Sequence, residues 1–142
     1  MPALPSTLRK EERIYSKKTI DALFQGGKSQ SMLAFPLRVI YMPLPNDFDR
    51  QPRHDKEATM SVKAQFLISV PKRCFKHAVK RNRVKRQVRE AYRKNKVIVA
   101  HHNVAMAFIW LSDSLYNSSR VEATVINLLN RVNERLSGEE AL

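Results

Sequence analysis

A basic segment between Lys72 and Lys96 restricts what this chain can fold into more than any other feature. The segment contains twelve Lys or Arg residues and one acid, Glu90, so it holds +11 of the formal charge of +13. It cannot form an apolar core, because removing unpaired charges from water is strongly destabilising. Charge concentrated in this way produces a strong local field, and the closely spaced phosphates of a polyanion match it. Nucleic acid is therefore the first partner to consider.

Apolar residues inside this segment recur with the period of a helix. Val84, Val88, Ala91 and Tyr92 follow one another at helical spacing and form a single apolar stripe. The stripe predicts an ordered helix over about residues 76–95, docked by one face, and it argues against a basic tail or a simple localisation signal. Long basic side chains at the edges of the stripe can cover the core with their stems while their charges reach outward. The opposite side carries Asn82, Arg86, Arg89 and Arg93, and the edges carry Arg81, Arg83 and Lys85.

The remaining composition predicts one globular domain, 1–142, in the cytoplasm. The 142 residues suffice for a single domain with its own core. The lone cysteine, Cys74, excludes an intramolecular disulfide and favours a reducing compartment, and we expect it to be structural. The longest apolar run, 104–111, is far shorter than the about 20 residues of a membrane span, and the first residues lack the apolar core of a signal peptide. We expect no membrane partner.

Two helices and two extended runs surround the basic helix. The first helix, 17–25, has Ile20, Leu23 and Phe24 at helical spacing and is expected to bury them. A last helix is expected from a cap at Ser118 or Ser119 to about Leu136. Extended runs are expected as follows: 35–44, with Phe35, Leu37, Val39 and Tyr41 on one face and prolines that suggest an edge strand; 62–70, as one strand or two; and 103–111, buried on both faces.

These elements predict an α+β fold in the order α-β-β(-β)-α-β-α, a two-layer sandwich of helices on one sheet. Three segments are expected to lie outside the regular elements. They are a loose N-terminal arm (1–7), a long polar connection (45–61) and a C-terminal tail (137–142).

The sequence offers no obvious catalytic set. Its four histidines, at 54, 77, 101 and 102, lack the spacing of metal ligands. Carboxylates are few, and Glu90 lies in a basic helix where a surface ion pair is its expected role. A protein that positions Mg²⁺ by itself usually needs several convergent carboxylates. On its residues alone, the chain is expected to bind nucleic acid and not to cut it.

The basic helix also resembles a known signature. Val70-Pro71-Lys72-Arg73, a short spacer, and then residues 78–86 (AVKRNRVKR) resemble the motif of the bacterial ribonuclease P protein subunit, with Arg81-Asn82-Arg83 as its core. Residues 20–24 (IDALF) with Gly27 resemble that family's first helix, and residues 35–41 resemble its first strand. The resemblance covers about residues 8–136.

The resemblance implies a fold, an activity and two binding surfaces. It implies a left-handed βαβ crossover through the basic helix, an exception to the usual hand. It implies an accessory subunit of an endoribonuclease that removes the 5′ leader of precursor tRNA, with Mg²⁺ held mainly by the catalytic RNA, no cofactor on the protein and no required protein partner. The expected contacts to the catalytic RNA are Lys72, Arg73, Lys76, Lys80, Arg81, Asn82, Arg83, Lys85, Arg86 and Arg89. The expected leader contacts, in a cleft between the first helix and the sheet, are Ile20, Phe24 and Arg38.

Other classes of basic protein fit less of the sequence. A zipper protein would need a sustained heptad repeat after Arg93, and none follows. A membrane-surface helix would carry bulky apolar anchors on its docked face. A structural RNA-binding protein, such as a ribosomal one, would share the field and the fold class, and reconstitution with the cognate catalytic RNA would distinguish it.

Overall fold

The computed structural model describes residues 13–14, 17–25, 29–43, 64–100 and 102–140. The elements in these ranges occur in the order α-β-β-β-α-β-α, which fits the predicted α-β-β(-β)-α-β-α, although the additional strand precedes the run 35–44 and does not come from a division of 62–70. They are α1 (Lys17–Gln25), β1 (Gln30–Ala34), β2 (Leu37–Pro43), β3 (Ala64–Ser69), α2 (Ala78–Asn95), a 3₁₀ helix (Lys96–Val99), β4 (Val104–Trp110) and α3 (Ser118–Glu140). The expected N-terminal arm, the polar connection 45–61 and the glycines after α1 lie outside the described residues.

The four strands form one mixed sheet in the order β1-β2-β4-β3. β1 pairs antiparallel with β2, β2 pairs antiparallel with β4, and β3 pairs parallel with β4. β4 therefore has a neighbour on each side, and it is buried along its length apart from Ile109, as its nearly continuous apolar sequence predicts. α2 connects the parallel strands β3 and β4; the left hand of this crossover stays a prediction.

α2 and α3 pack together on one face of the sheet, over the larger core. Leu37, Val39 and Tyr41 of β2 point into this core, as their alternation predicts. Tyr92 of α2 joins the helix to the sheet, because its ring stacks on Phe66 of β3 at 4.1 Å between centroids and meets Phe108 of β4 edge-on at 6.1 Å. Aromatic contacts of this kind add specific geometry to apolar burial. They fix α2 on the sheet.

α1 packs against the opposite face of the sheet. Its Leu23 is 1% exposed and contacts a smaller cluster that includes Met42 of β2 and Ala105 and Ala107 of β4. Small side chains on β4 let the helix approach the sheet closely. α1 covers only part of this face, so a partly open surface remains beside it.

The strand predictions were wrong in three respects. β1 was not predicted, and it occupies the edge that the prolines had suggested for β2; β2 lies between β1 and β4. Phe35 does not point into the core: it lies in the β1–β2 turn and is 56% exposed. Pro43 is tolerated because it is the last residue of its strand.

The last helix differs from its prediction at both ends. Its cap is Asn117 rather than either serine, because the Asn117 side-chain oxygen accepts a hydrogen bond from the backbone N–H of Arg120 at 2.8 Å. The helix continues past Leu136 to Glu140.

Candidate nucleic-acid interface

The predicted apolar stripe of α2 is its buried face. Val84 and Val88 are fully buried, and Ala91 and Tyr92 are 3% and 1% exposed. Since these side chains fix the rotation of the helix, the residues on its other side must face outward. The charged face is therefore a direct consequence of the packing and does not depend on a bound partner.

The predicted RNA-binding residues lie along α2 and the loop before it. Together they are called the basic surface here: Lys72, Arg73, Lys76, Lys80, Arg81, Asn82, Arg83, Lys85, Arg86 and Arg89. Seven of them are exposed, including Arg83, which was expected at an edge of the stripe. Arg81, Lys85 and Arg89 are half-buried, although Arg89 was expected on the opposite side of the helix. Half-buried Lys and Arg side chains of this type cover the core with their stems and keep their charged ends near the surface.

Residues 71–77 form a short loop that connects β3 to α2. The Cys74 N–H donates to the Pro71 carbonyl at 3.0 Å and closes a turn. Cys74 and Phe75 are 8% and 5% exposed, and the Cys74 thiol contacts the Trp110 carbonyl at 3.6 Å. Cys74 thus has the structural position expected for it. Lys72 and Arg73 face solvent in a turn that the buried Cys74 and Phe75 hold against the core.

Arg81 has protein partners. Its Nη1 donates to the carbonyls of Phe75 at 2.8 Å and Lys76 at 2.9 Å. Sequence reasoning placed Arg81 at the edge of the stripe, which is correct, but it treated the side chain only as a phosphate contact. The two carbonyls belong to the loop, so they are not visible in a helical pattern.

Glu90 neutralises Arg93 on the outer side of α2. Arg93 Nε donates to Glu90 Oε2 at 3.0 Å, and a second nitrogen of the guanidinium, Nη2, contacts Oε1. The hydrogen bond from Arg93 lowers the pKa of Glu90 from its ordinary value of 4.5 and raises the pKa of Arg93. The surface ion pair expected for Glu90 is confirmed.

Side-chain contacts also hold α2 to α3. Gln87 Nε2 donates to the Tyr116 carbonyl at 2.9 Å, and Asn95 Nδ2 donates to Glu122 Oε2 at 3.1 Å. These contacts and the shared apolar core keep the basic surface in a fixed orientation on the domain.

The predicted leader contacts lie on the other face of the sheet, beside α1. Ile20 is half-buried against the smaller cluster, Arg38 is exposed, and Phe24 is 46% exposed. The expectation that Phe24 is buried was wrong, because α1 buries only a narrow face. An exposed ring is available for a ligand.

Strand register shows a residue that sequence reasoning missed. Leu33 of β1 pairs with Arg38, Arg38 pairs with Ile109, and Ile109 pairs with Ser69 at the end of β3. These four residues form one row across the sheet on the side of α1, and Leu33 is 57% exposed. The sequence pattern that could have predicted β1, and with it the position of Leu33, was weak because β1 has only five residues. We call Ile20, Phe24, Leu33 and Arg38 the cleft.

The described part of the chain shows no metal-binding arrangement. Within it, no group of three or more His, Cys, Asp or Glu side chains is placed to hold an ion. No helix in the described ranges combines the length and apolarity that a membrane crossing requires.

The fold and the two surfaces define a small α+β protein with a cationic helix on one face of its sheet and exposed side chains beside α1 on the other. The Ribonuclease P family model matches residues 8–133. A ribonuclease P protein component of Porphyromonas gingivalis is 35% identical over 131 residues, covering 88% of this chain and 85% of that protein. This chain belongs to the ribonuclease P family, as a protein component of that tRNA-processing endoribonuclease.

Solved structures share the fold. The ribonuclease P protein from Thermotoga maritima has a TM-score of 0.64 at 20% identity, covering 84% of this chain and 96% of that one. A Staphylococcus aureus ribonuclease P protein mutant, described as defective in mRNA degradation activity, has a TM-score of 0.61 at 20% identity, covering 87% and 89%. The α+β fold expected from the sequence is confirmed.

Proposed function

We propose that this protein binds the catalytic RNA of ribonuclease P through the basic surface and the 5′ leader of precursor tRNA through the cleft. In this proposal the RNA holds the Mg²⁺ ions that carry out leader removal. The protein increases affinity for the precursor and reduces phosphate repulsion near the reacting bond. It acts in the cytoplasm, needs no further protein partner and is inactive alone.

The orientation of α2 is the observation that carries the proposal. The same helix buries Val84, Val88 and Tyr92 and turns Lys80, Arg83 and Arg86 to solvent. Cations held on a rigid face can neutralise several phosphates at once, and each contact releases condensed counterions. A flexible basic tail would lose more conformational freedom on binding.

The cleft has the properties that an unpaired strand requires. Phe24 offers a ring for stacking, Arg38 offers a cation for the backbone, and Leu33 and Ile20 add apolar surface. Stacking on a ring and contact with the backbone do not depend on base identity, so this surface suits leaders of many sequences.

The residues that the structure describes form no group of three or more side chains suited to bind a metal ion. The described ranges place no convergent carboxylates or histidines, and Glu90 is engaged with Arg93. The proposal therefore assigns no protein-bound metal and no proton transfer to a side chain. The contribution of the protein is to bind and to orient.

Reconstitution with the cognate catalytic RNA tests the proposal. At Mg²⁺ concentrations too low for the RNA alone, adding the protein should restore precursor cleavage. Arg86→Ala should require more protein for the same rate, whereas Arg135→Ala, which removes an equally exposed cation from α3, should behave as the wild type.

Two results would contradict the proposal. One is a folded protein that gives no cleavage at any concentration under these conditions. The other is cleavage by the protein without RNA, surviving nuclease treatment of the preparation, which would assign the chemistry to side chains of this chain.

A further inference from the structure

Arg81 makes a contact pattern unlike that of its exposed neighbours on α2. Its Nη1 donates to two successive backbone carbonyls, Phe75 at 2.8 Å and Lys76 at 2.9 Å. One guanidinium nitrogen carries two hydrogens, so both hydrogens of Nη1 are committed to the loop. The side chain is half-buried, whereas those of Lys80 and Arg83 are exposed.

The loop needs such a contact where it enters α2. Cys74 and Phe75 anchor its middle in the core, but the chain then passes through Lys76 and His77, both exposed. His77 has an extended backbone, at φ −94° and ψ 138°, and its side chain makes no capping hydrogen bond. Helix starts of this type usually gain such a bond from the capping residue. Arg81, one turn into the helix, does not replace this cap, because it donates to the carbonyls of Phe75 and Lys76 and leaves the first N–H groups of the helix unchanged; it ties the loop to the helix instead.

The position of this loop gives the contact a functional consequence. The loop begins just after Ser69, which lies in the same cross-sheet row as Ile109 and Arg38. It ends at the first turn of α2. Lys72, Arg73 and Lys76 therefore lie between the cleft and the helical part of the basic surface, and their placement depends on the loop conformation.

We propose that Arg81 is a positioning residue, which holds the loop 71–77 so that Lys72, Arg73 and Lys76 meet the RNA together with α2. Its effect on RNA binding passes through the loop rather than through a phosphate contact of its own. Without Arg81 the three cations remain, but binding must then order the loop, which reduces affinity. The inference rests on the proposed RNA-binding function of the basic surface.

The first test uses the free protein and does not depend on RNA. Arg81→Met keeps the stem of the side chain and removes the donors. Arg83→Gln, two residues away and exposed, removes the same charge without touching the loop. Hydrogen exchange at the amides of residues 72–77 should become about tenfold faster or more in Arg81→Met and stay unchanged in Arg83→Gln.

The second test is a double-mutant cycle on affinity for the catalytic RNA. The background variant carries Lys72→Gln, Arg73→Gln and Lys76→Gln. Arg81→Met should weaken binding about tenfold in the wild type but less than about twofold in this background, since its effect requires the three cations. Arg83→Gln should cost the same in both backgrounds.

The outcomes separate the inference from the function on which it rests. Unchanged loop exchange in Arg81→Met, or an equal affinity loss in both backgrounds, overturns the positioning role. If the background variant and Arg83→Gln both bind RNA as the wild type does, the proposed RNA surface fails, whatever the exchange result. Should Arg81→Met not fold, Arg81→Gln, whose amide nitrogen ends two bonds short of the position of Nη1, takes its place with the same two criteria.

Discussion

Replacing Glu90 by Gln should strengthen RNA binding, because it releases a cation that the protein itself neutralises. In the wild type Glu90 accepts hydrogen bonds from Arg93, and this contact raises the pKa of Arg93 and lowers that of Glu90. The variant removes the carboxylate that neutralises Arg93, which is the one acid in a segment with twelve cations. Because the pair is exposed, its loss should leave the fold intact.

The expected magnitude follows from counterion release. One additional phosphate contact steepens the log–log salt dependence by about 0.7 to 0.9 units. Between about 200 mM and about 50 mM salt, the variant should therefore gain roughly threefold more affinity for the catalytic RNA than the wild type gains. The assay is an equilibrium titration of labelled catalytic RNA at four or more salt concentrations.

A matched control removes a distant acid. Glu134→Gln changes the net charge by the same amount. Glu134 is far from the basic surface, because Glu122 contacts Asn95 at the end of α2 and Glu134 lies about 18 Å further along α3 at 1.5 Å per residue. If RNA affinity depends on salt concentration with the same log–log slope in Glu90→Gln and in the wild type, the reasoning is refuted. Equal steepening in both variants would show that net charge, and not the release of Arg93, is responsible.

The pH dependence has a definite sign. The folded-state pKa of Glu90 is lowered by its hydrogen bond with Arg93. Its contribution to stability is therefore present above the unfolded-state pKa and is lost as pH falls through the lowered, folded-state value. The difference in melting temperature between the wild type and Glu90→Gln should accordingly shrink towards low pH.

Four further variants test other parts of the structure. Arg86→Ala should make the salt slope shallower by about one unit without changing the melting temperature, since the side chain is exposed. Lys96→Gln should do the opposite, lowering the melting temperature and leaving the slope unchanged, because Lys96 is 6% exposed. Phe24→Ala should weaken precursor tRNA binding by the reconstituted enzyme about tenfold, from a stacking contribution of roughly 1–3 kcal/mol, and leave mature tRNA binding unchanged; equal losses would return the ring to a structural role. Val88→Ala should lower the free energy of unfolding by roughly 2 kcal/mol in urea titrations, and an unchanged midpoint would mean that α2 is not docked by this stripe.

The long periodic elements could be predicted because local pattern and tertiary packing agree in them. The stripe of α2 and the apolar run of β4 each specify one period, and the structure buries them as expected. The first helix also has the predicted bounds. In such segments nearly every residue supports the same assignment.

The missed features depend on partners that the local sequence does not show. β1 has few inward-pointing residues. Its contacts come from pairing with β2 and from α3, whose Arg131 Nη1 donates to the Leu33 carbonyl at 2.9 Å. Phe35 fitted the alternation of β2, but the chain turns at Phe35 and Pro36, so the alternation begins one residue pair later, at Leu37. The two carbonyls that bind Arg81 lie in the preceding loop, and no helical pattern includes them.

Charge in this segment is therefore not equivalent to charge available for RNA. Of the twelve cations, Arg93 is paired with Glu90, Arg81 binds two loop carbonyls, and Lys96 is buried. Nine remain. The three have different structural roles, since Arg93 balances an acid, Arg81 fixes a loop and Lys96 lies at the junction of α2 and the 3₁₀ helix. A substitution scan that lowers affinity at all twelve positions would thus combine direct contacts with indirect ones. The salt slope, measured with a folding control and with amide exchange in the loop, distinguishes them.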